Sequence, residues 1–436
     1  MTMKNIINKV FRSGSMFALL SMAFSGILHA QAIPVEIVET EAGFQLLRGG
    51  EPYTVNGAGF EYSDMSVLAA HGGNSFRTWR TDNKQFTGQE LLDEAAANGL
   101  TVALCIEIAR ERHGFDYDDE KAVAEQLEYA RGEVQKYKDH PALLAWMIGN
   151  EPNLHARNKK VYDAINEISE MIHQVDGKHP TTTALAGFSQ ELADITRTRM
   201  SDLDFISVQF YGDLVNLPRY MKEIGWDQPY MVTEWGAIGH WEVANTKWGA
   251  HIEQNSSDKA ENYRKSHEVA IASDSRNIIG NYVFLWGQKQ ERTPTWYGMF
   301  LADGSKTEAV DIMQKIWTGQ FPDNRAPQVS GMTLNKKKAK DNVNLDAGKA
   351  YKASVDASDP EGDALEYRWE VMRESTATQT GGDKEDIPDR LEGLVEGSGA
   401  KILFTAPGEP GAYRLFVYVH DGQGSAGHAN VPFKVK

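Results

Sequence analysis

Between residues 53 and 286 the chain repeats one pattern eight times: a short apolar run, then a longer stretch of mixed polarity. The runs are residues 53–60, 75–79, 101–107, 143–149, 181–187, 205–211, 230–235 and 281–286. They are rich in Val, Ile, Phe, Tyr and Thr, and several are apolar without a break, as strands covered on both faces must be. Most of the stretches between them carry helical periodicity. In 119–137, Val123, Leu127, Ala130 and Val134 share one face, and 159–175 and 257–272 behave alike. Eight β–α units in about the 250 residues such a fold needs predict an α/β fold, a (β/α)8 TIM barrel. A doubly wound open sheet fits less well, because no Gly-rich phosphate loop follows the first run.

The flanks differ from the repeat. Residues 35–47 and 51–55 surround Arg48-Gly49-Gly50 and read as a β-hairpin plugging the bottom of the barrel. A linker with two prolines covers 321–327. From 328 to 436 short alternating strands replace helices, at 351–355, 365–371, 401–405 and 413–419, which predicts a C-terminal immunoglobulin-like β-sandwich. At the N-terminus Lys4, Lys9 and Arg12 precede an apolar run, 16–28, and the small residues Ala30 and Ala32. That is the pattern of a cleavable bacterial-type signal peptide, residues 1–32, and it predicts a periplasmic or secreted protein. The expected organisation is therefore 1–32 signal, 33–322 barrel and 328–436 sandwich.

With 45 Lys and Arg against 61 Asp and Glu, the net charge is −16. A polyphosphate or an anionic membrane would repel such a chain, so neither nucleic acid nor membrane insertion is expected. The single cysteine, Cys105, allows no intramolecular disulfide and no Cys-based metal site, and reads as a buried filler.

In this fold, functional groups stand where strands end at the C-terminal face. Run four ends in Gly149-Asn150-Glu151-Pro152 and run seven in Thr233-Glu234-Trp235-Gly236. Strands four and seven lie across the barrel mouth from each other, so two carboxylates can face one another there. Cleavage of a glycosidic bond needs such a pair: one carboxyl donates a proton to the leaving oxygen while the other attacks the anomeric carbon.

This pairing resembles the retaining glycoside hydrolases of clan A. The resemblance covers about residues 35–317 and extends to single positions. It implies Glu234 as nucleophile and Glu151 as acid/base, with the two carboxyls about 5–5.5 Å apart. In Gly73-Asn74-Ser75-Phe76-Arg77 it gives Arg77 a hydrogen bond to the nucleophile. It implies that Asn150 binds the sugar 2-hydroxyl, that Tyr211 orients the nucleophile, and that Trp286 forms the platform under the reacting sugar. The short barrel, the C-terminal domain and the spacing of the two Glu are further similar to glycoside hydrolase family 158, endo-β-1,3-glucanases acting on laminarin-like glucans. Other clan members cleave β-1,4-mannan, cellulose or β-galactosides, a transglycosylase would use the same pair of Glu, and the shared motifs do not report linkage. The expected partner is a polysaccharide or oligosaccharide, acted on by a monomer.

Aromatic faces stack on sugars, which makes Trp79 and Trp235 subsite candidates beside Trp286, along with Trp241, Trp248 and Trp296 in later loops. His240, just beyond strand seven, could contact Glu234 or a sugar hydroxyl. Glu107 and His113 follow strand three. No cofactor and no metal is expected. A metal-dependent hydrolase would need several His or Asp at strand ends, and strands one, four, five and six end without His. The acidic group Asp356, Asp359, Glu361, Asp363 and Asp421 has calcium-like ligands without the spacing of an EF-hand, and acidic turns are ordinary in sandwiches. A catalytically silent glycan-binding protein would have lost one of these groups, and all are present.

Overall fold

The computed structural model describes residues 31–61 and 63–436. The expected signal peptide lies almost wholly outside the described residues. Eight parallel strands close into a barrel in chain order: Asn56–Gly59, Ser75–Arg77, Thr101–Ile106, Leu143–Asn150, Thr181–Ala186, Ile206–Gln209, Tyr230–Gly236 and Ile278–Phe284. We refer to them as strands one to eight. The first seven begin within three residues of the expected runs and the eighth starts three residues earlier than its run. Side chains on these strands divide by alternation. In strand three Ala103 and Cys105 face the interior with Ala145, Met147, Ala184 and Met231, while Val102, Leu104 and Ile106 pack toward the helices. Burial pushes the Cys105 thiol up to about 11, which suits a filler rather than a reactive group.

Helices follow the strands, and their starts are written in side chains. Thr87 and Glu90 form a reciprocal capping box before Gly88–Ala97. Asp119, Ser189 and Asn255 accept backbone N–H bonds at the starts of Glu120–Tyr137, Gln190–Arg199 and Ser256–Ser266. Each such cap contributes about 1 kcal/mol.

The N-terminal segment has one turn more than expected. Val35–Thr40, Gly43–Arg48 and Glu51–Pro52 form a three-stranded antiparallel sheet, because the chain turns at Glu41-Ala42 instead of running straight to residue 47. It closes the lower end of the barrel: Val35 N–H donates to the Lys178 carbonyl, Phe44 N–H to the Arg276 carbonyl, and Arg48 to the Pro141 carbonyl.

Beyond the linker two β-sheets pack face to face. One holds Gln328–Leu334, Ala350–Ser358, Lys401–Thr405 and Val395–Glu396. The other holds Val343–Leu345, Ala426–Val435, Gly411–His420, Glu366–Arg373 and Arg390–Leu391. Val355 and Phe404 meet Val417 and Phe433 between them, with the two Phe rings 5.3 Å apart. The second sheet also turns its outer face onto the barrel, where Met372, Phe416, Tyr418 and Ala426 cluster with Leu301. The acidic group expected as ordinary turns is engaged: Asp359 accepts three backbone N–H bonds, Glu361 pairs with Arg325, and Asp421 accepts from Asn324 and from two backbone N–H groups.

Candidate active site

Strand four carries its residues to the mouth through an unusual turn. Gly149 sits at φ +72, where an added Cβ would lie 2.6 Å from the Ile108 side chain, so the backbone here approaches its neighbour too closely for anything but glycine. Asn150 still pairs with strand five, and Glu151 then adopts φ +50 while its N–H donates to the Ala184 carbonyl. A non-glycine residue in that region costs on the order of 1–3 kcal/mol, and the surrounding strands hold it there.

Glu234, on strand seven, is nearly enclosed, and both its oxygens accept hydrogen bonds. Oε1 accepts from Arg77 Nη1 at 3.1 Å and from Trp79 Nε1 at 2.8 Å, and Oε2 from the Tyr211 hydroxyl at 2.8 Å. Arg77 is fully buried and shared: Nη2 also donates to Asn150 Oδ1 at 2.8 Å, and the guanidinium lies 4.8 Å from the Trp79 ring centre. Gln209, from strand six, donates a second hydrogen bond to Asn150 Oδ1 at 2.7 Å. Two donors on Oδ1 fix the amide orientation, and Nδ2 is left with no partner among the described residues.

Glu151 is held differently. Its carboxyl has no hydrogen-bond partner among the described residues. Burial, then the nearby Glu234 charge, push its pKa up to about 7, against the opposing charges of Arg112, Arg110 and Arg77. The mouth thus pairs a carboxylate saturated with donors and a carboxyl that keeps its proton near neutral pH. Such a pair can supply one nucleophile and one acid.

Arg77, Asn150, Glu151, Tyr211 and Glu234 therefore lie together at the mouth. Trp79 joins them through its indole N–H on Glu234. Three expectations fail. Trp235 is fully buried and points away from the mouth, its Nε1 donating to Asn281 and its ring against Tyr263, because alternation turns it outward next to inward Glu234. Trp286 is also fully buried, against His71, Phe300 and Trp317, because strand eight ends two residues before it. His240 does not reach Glu234; it is buried in the wall among Trp241, His251 and Trp296, 3.5 Å from Glu291. The ring that borders Glu234's partners is Phe284, at the end of strand eight, 5.7 Å from Trp79 and 5.9 Å from Tyr211.

Phe284, Gln209 and Arg112 escaped sequence reasoning. Gln209 stood at the end of a recognised run, two residues before Tyr211, and its position was the available signal. Of the other aromatics, Trp241 is 59% exposed with its ring edge-on to Tyr211, and it remains open for stacking, while Trp296 is buried and donates to the Ile238 carbonyl. Glu107 and His113 line a cleft of about 450 Å³ after strand three, with Arg110, Phe115 and Tyr129.

The family model of the glycosyl hydrolases family 2, TIM barrel domain, matches residues 57–276. That is just over half of the chain, and the chain belongs to this family. The matched span is the barrel itself, from strand one to just before strand eight. A putative mannan endo-1,4-beta-mannosidase 4 of Arabidopsis thaliana is 33% identical over 78 residues, which is 17% of this chain and 18% of the relative. Among solved structures, Bacteroides uniformis beta-glucuronidase 2, covalently bound to cyclophellitol-6-carboxylate aziridine, has a TM-score of 0.51 at 13% identity, over 92% of this chain and 48% of that one. Bifidobacterium dentium beta-glucuronidase, complexed with coumarin-3-O-glucuronide, also scores 0.51, at 19% identity, over 67% and 50%. The likeness spans less than a fifth of the mannosidase and about half of each glucuronidase, and with the structures it is a likeness of fold.

Proposed function

We propose that the protein is a retaining β-glycan hydrolase in which Glu234 is the nucleophile and Glu151 the acid/base. The observation that carries this is the asymmetry of the two carboxyls: three donors on Glu234, none on Glu151. Glu234 attacks the anomeric carbon as Glu151 gives its proton to the departing glycosidic oxygen. A glycosyl ester on Glu234 results. Glu151, now a carboxylate, takes a proton from water, whose oxygen attacks the same carbon and releases Glu234. The free Nδ2 of Asn150 is placed to donate to the sugar 2-hydroxyl, and Phe284 replaces Trp286 as the aromatic under the reacting ring.

For the substrate we propose β-1,3-glucan of the laminarin type, cleaved within the chain, on the strength of the sequence resemblance. β-1,4-mannan is the second reading, favoured by the mannosidase likeness. Export directed by residues 1–32 is part of the proposal. It predicts a secreted or periplasmic product whose N-terminus is Ile33.

The test is incubation of the protein with laminarin, β-mannan, mixed-linkage β-glucan, carboxymethyl-cellulose and xylan, with products sized over time, alongside Glu151→Gln and Glu234→Gln. Mixed laminari-oligosaccharides from laminarin alone, absent with both variants, are the expected result. Release from mannan, lost in both variants, moves the substrate and keeps the mechanism. Activity that survives Glu234→Gln sinks the mechanism.

A further inference from the structure

Between the paired strands Glu366–Arg373 and Arg390–Leu391 of the C-terminal sheet, the chain leaves the sandwich and returns. That connection, residues 374–389, lies on the barrel mouth. At its base Glu385 is buried and accepts from Arg292 Nη1 at 3.1 Å and from Ser375 Oγ at 3.1 Å, while Arg292 Nη2 donates to the Gln379 carbonyl at 2.9 Å. At its tip Gly381 and Gly382 take φ +64 and +74. A Cβ on Gly381 would lie 2.7 Å from Leu154 and 2.8 Å from Arg112, so the tip touches the loops after strands four and three. Thr380 lies 3.5 Å from His155, and Asp383 bonds His113 at 3.1 Å. On the other side Lys289, from the loop after strand eight, donates to the Gly382 carbonyl at 3.4 Å and stands 5.8 Å from the Phe284 ring centre. One connection of the C-terminal unit therefore bridges loops on two sides of the mouth, with the acid/base on one side and the strand-eight aromatic on the other.

Arg112 is the second observation. Its side chain is 7% exposed, held by the Gly381 carbonyl at 3.3 Å and by Asp383 at 3.7 Å, both through Nη2. Its Nε and Nη1 are buried with no partner among the described residues. Two buried, charged donors left unpaired cost more than a surface arginine would, and a bound acceptor removes that cost. Its charge also reaches Glu151.

We infer that residues 374–389 form a wall of the substrate cleft, and that Arg112 is a specificity-determining residue that donates to acceptor oxygens of the glycan beside Glu151. Asp383 is a positioning residue that holds Arg112. The inference rests on the reading of Glu151 and Glu234 as the reacting pair. On it, selection among glycan chains belongs to the C-terminal unit as well as to the barrel.

The test compares wild type, Arg112→Met and Asp383→Asn. For each, kcat/KM is measured on laminarin and on β-mannan, and on the 2,4-dinitrophenyl β-glucoside and β-mannoside, which are too small to reach past the reacting sugar. Melting temperature is followed in parallel. The expected result is a fall of about tenfold or more in the ratio of polymer to small-glycoside kcat/KM in both variants, carried mainly by KM. An unchanged ratio overturns the inference. So do polymer and small-glycoside rates that fall together, the mark of a purely structural role. Turnover of the small glycosides alone by wild type overturns it too, since no chain then passes the wall. Wild type that hydrolyses nothing and takes no label on Glu234 from 2-deoxy-2-fluoro glycosides overturns the reading of the site itself, and this inference with it.

Discussion

Glu151 and Glu234 bear the same chemical group, and what separates the roles we propose for them is the number of donors around each. The pH dependence follows. The acid works only while protonated, so the rate should fall as pH rises through about 7, the value to which burial and the Glu234 charge push Glu151. Arg112, Arg110 and Arg77 oppose that push, so Arg112→Gln should move this limb to higher pH. A pH–rate profile that keeps the limb in place in the variant contradicts the assignment. Stability should move the other way. A buried acid with a raised pKa binds more protons folded than unfolded, so it costs stability as pH rises above its ordinary range near 4.5. Glu151→Gln should therefore melt higher than wild type at pH 8 and alike at pH 4, a difference that thermal melts at both pH values resolve. On Glu234, the proposed nucleophile, Tyr211→Phe removes one of three hydrogen bonds, about 1.5–3 kcal/mol, and should lower kcat by roughly ten- to a hundredfold. Single-turnover rates of glycosyl-enzyme formation would check it. The carboxylates, Asn150 and Arg77 were legible because a strand that ends in a polar motif is a local signal. The φ of Glu151 was not, since it is imposed by strand five and by the Gly149 turn beneath it.

Strand ends decide which neighbour of a catalytic group faces the substrate. Alternation was enough to place Trp235 outward once Glu234 faced inward, and the residue types alone hid this, because a Trp beside a catalytic Glu looks like a sugar platform. Trp286 misled for another reason. The apolar run continues past Phe284 into a segment that packs under the barrel wall, so the end of the strand could not be read from hydrophobicity. The consequences separate in experiment. Trp286→Ala deletes a fully enclosed ring and should cost about 3–5 kcal/mol of stability, visible in denaturant melts, with KM unchanged in the protein that remains folded. Phe284→Ala should raise KM for the same substrate. The reverse pattern would restore Trp286 as the platform.

The C-terminal unit and the barrel share one interior. Strands Gly411–His420 and Ala426–Val435 are buried along nearly their full length, since one face meets the sandwich core and the other meets the barrel. The sandwich was legible from short strands and turns, but its seat on the barrel was not, because contacts between residues such as Arg414 and His251 have no local signature. Still less legible was the connection 374–389, a polar stretch whose partners lie far away in sequence. The seam is polar as well as apolar. Glu253, from the loop after strand seven, is buried and accepts from Lys259 at 2.5 Å, Thr293 at 2.7 Å, Thr295 at 2.8 Å and Asn430 at 2.6 Å. Asn430 accepts in turn from Arg414, which donates to Glu374 at the start of the connection.

This network sets how the stability of the seam depends on pH. The Lys259 charge, then His428, Arg414 and the hydrogen bond from Lys259, outweigh burial and hold Glu253 down at about 2, below its ordinary 4.5. Burial and then the Lys259 charge hold His428 at about 3, and burial, with the neighbouring His240, Arg292 and Arg414, holds His251 at about 4, both below the ordinary 6.5. All three groups bind more protons unfolded than folded, so each stabilises the seam above its unfolded value and loses that contribution as pH falls: the histidines from 6.5 downward, Glu253 from 4.5. The seam's share of the stability should therefore fall steadily below about pH 6.5. Glu253→Gln leaves Lys259 buried without its counter-charge and should cost about 3–5 kcal/mol at neutral pH, with a flatter acid limb than wild type. Because Arg414 links this seam to Glu374, the loss should reach the 374–389 connection first. Hydrogen exchange in that segment should rise before exchange in the barrel strands as pH is lowered, and simultaneous exchange in both would mean that the seam and the cleft wall are not coupled.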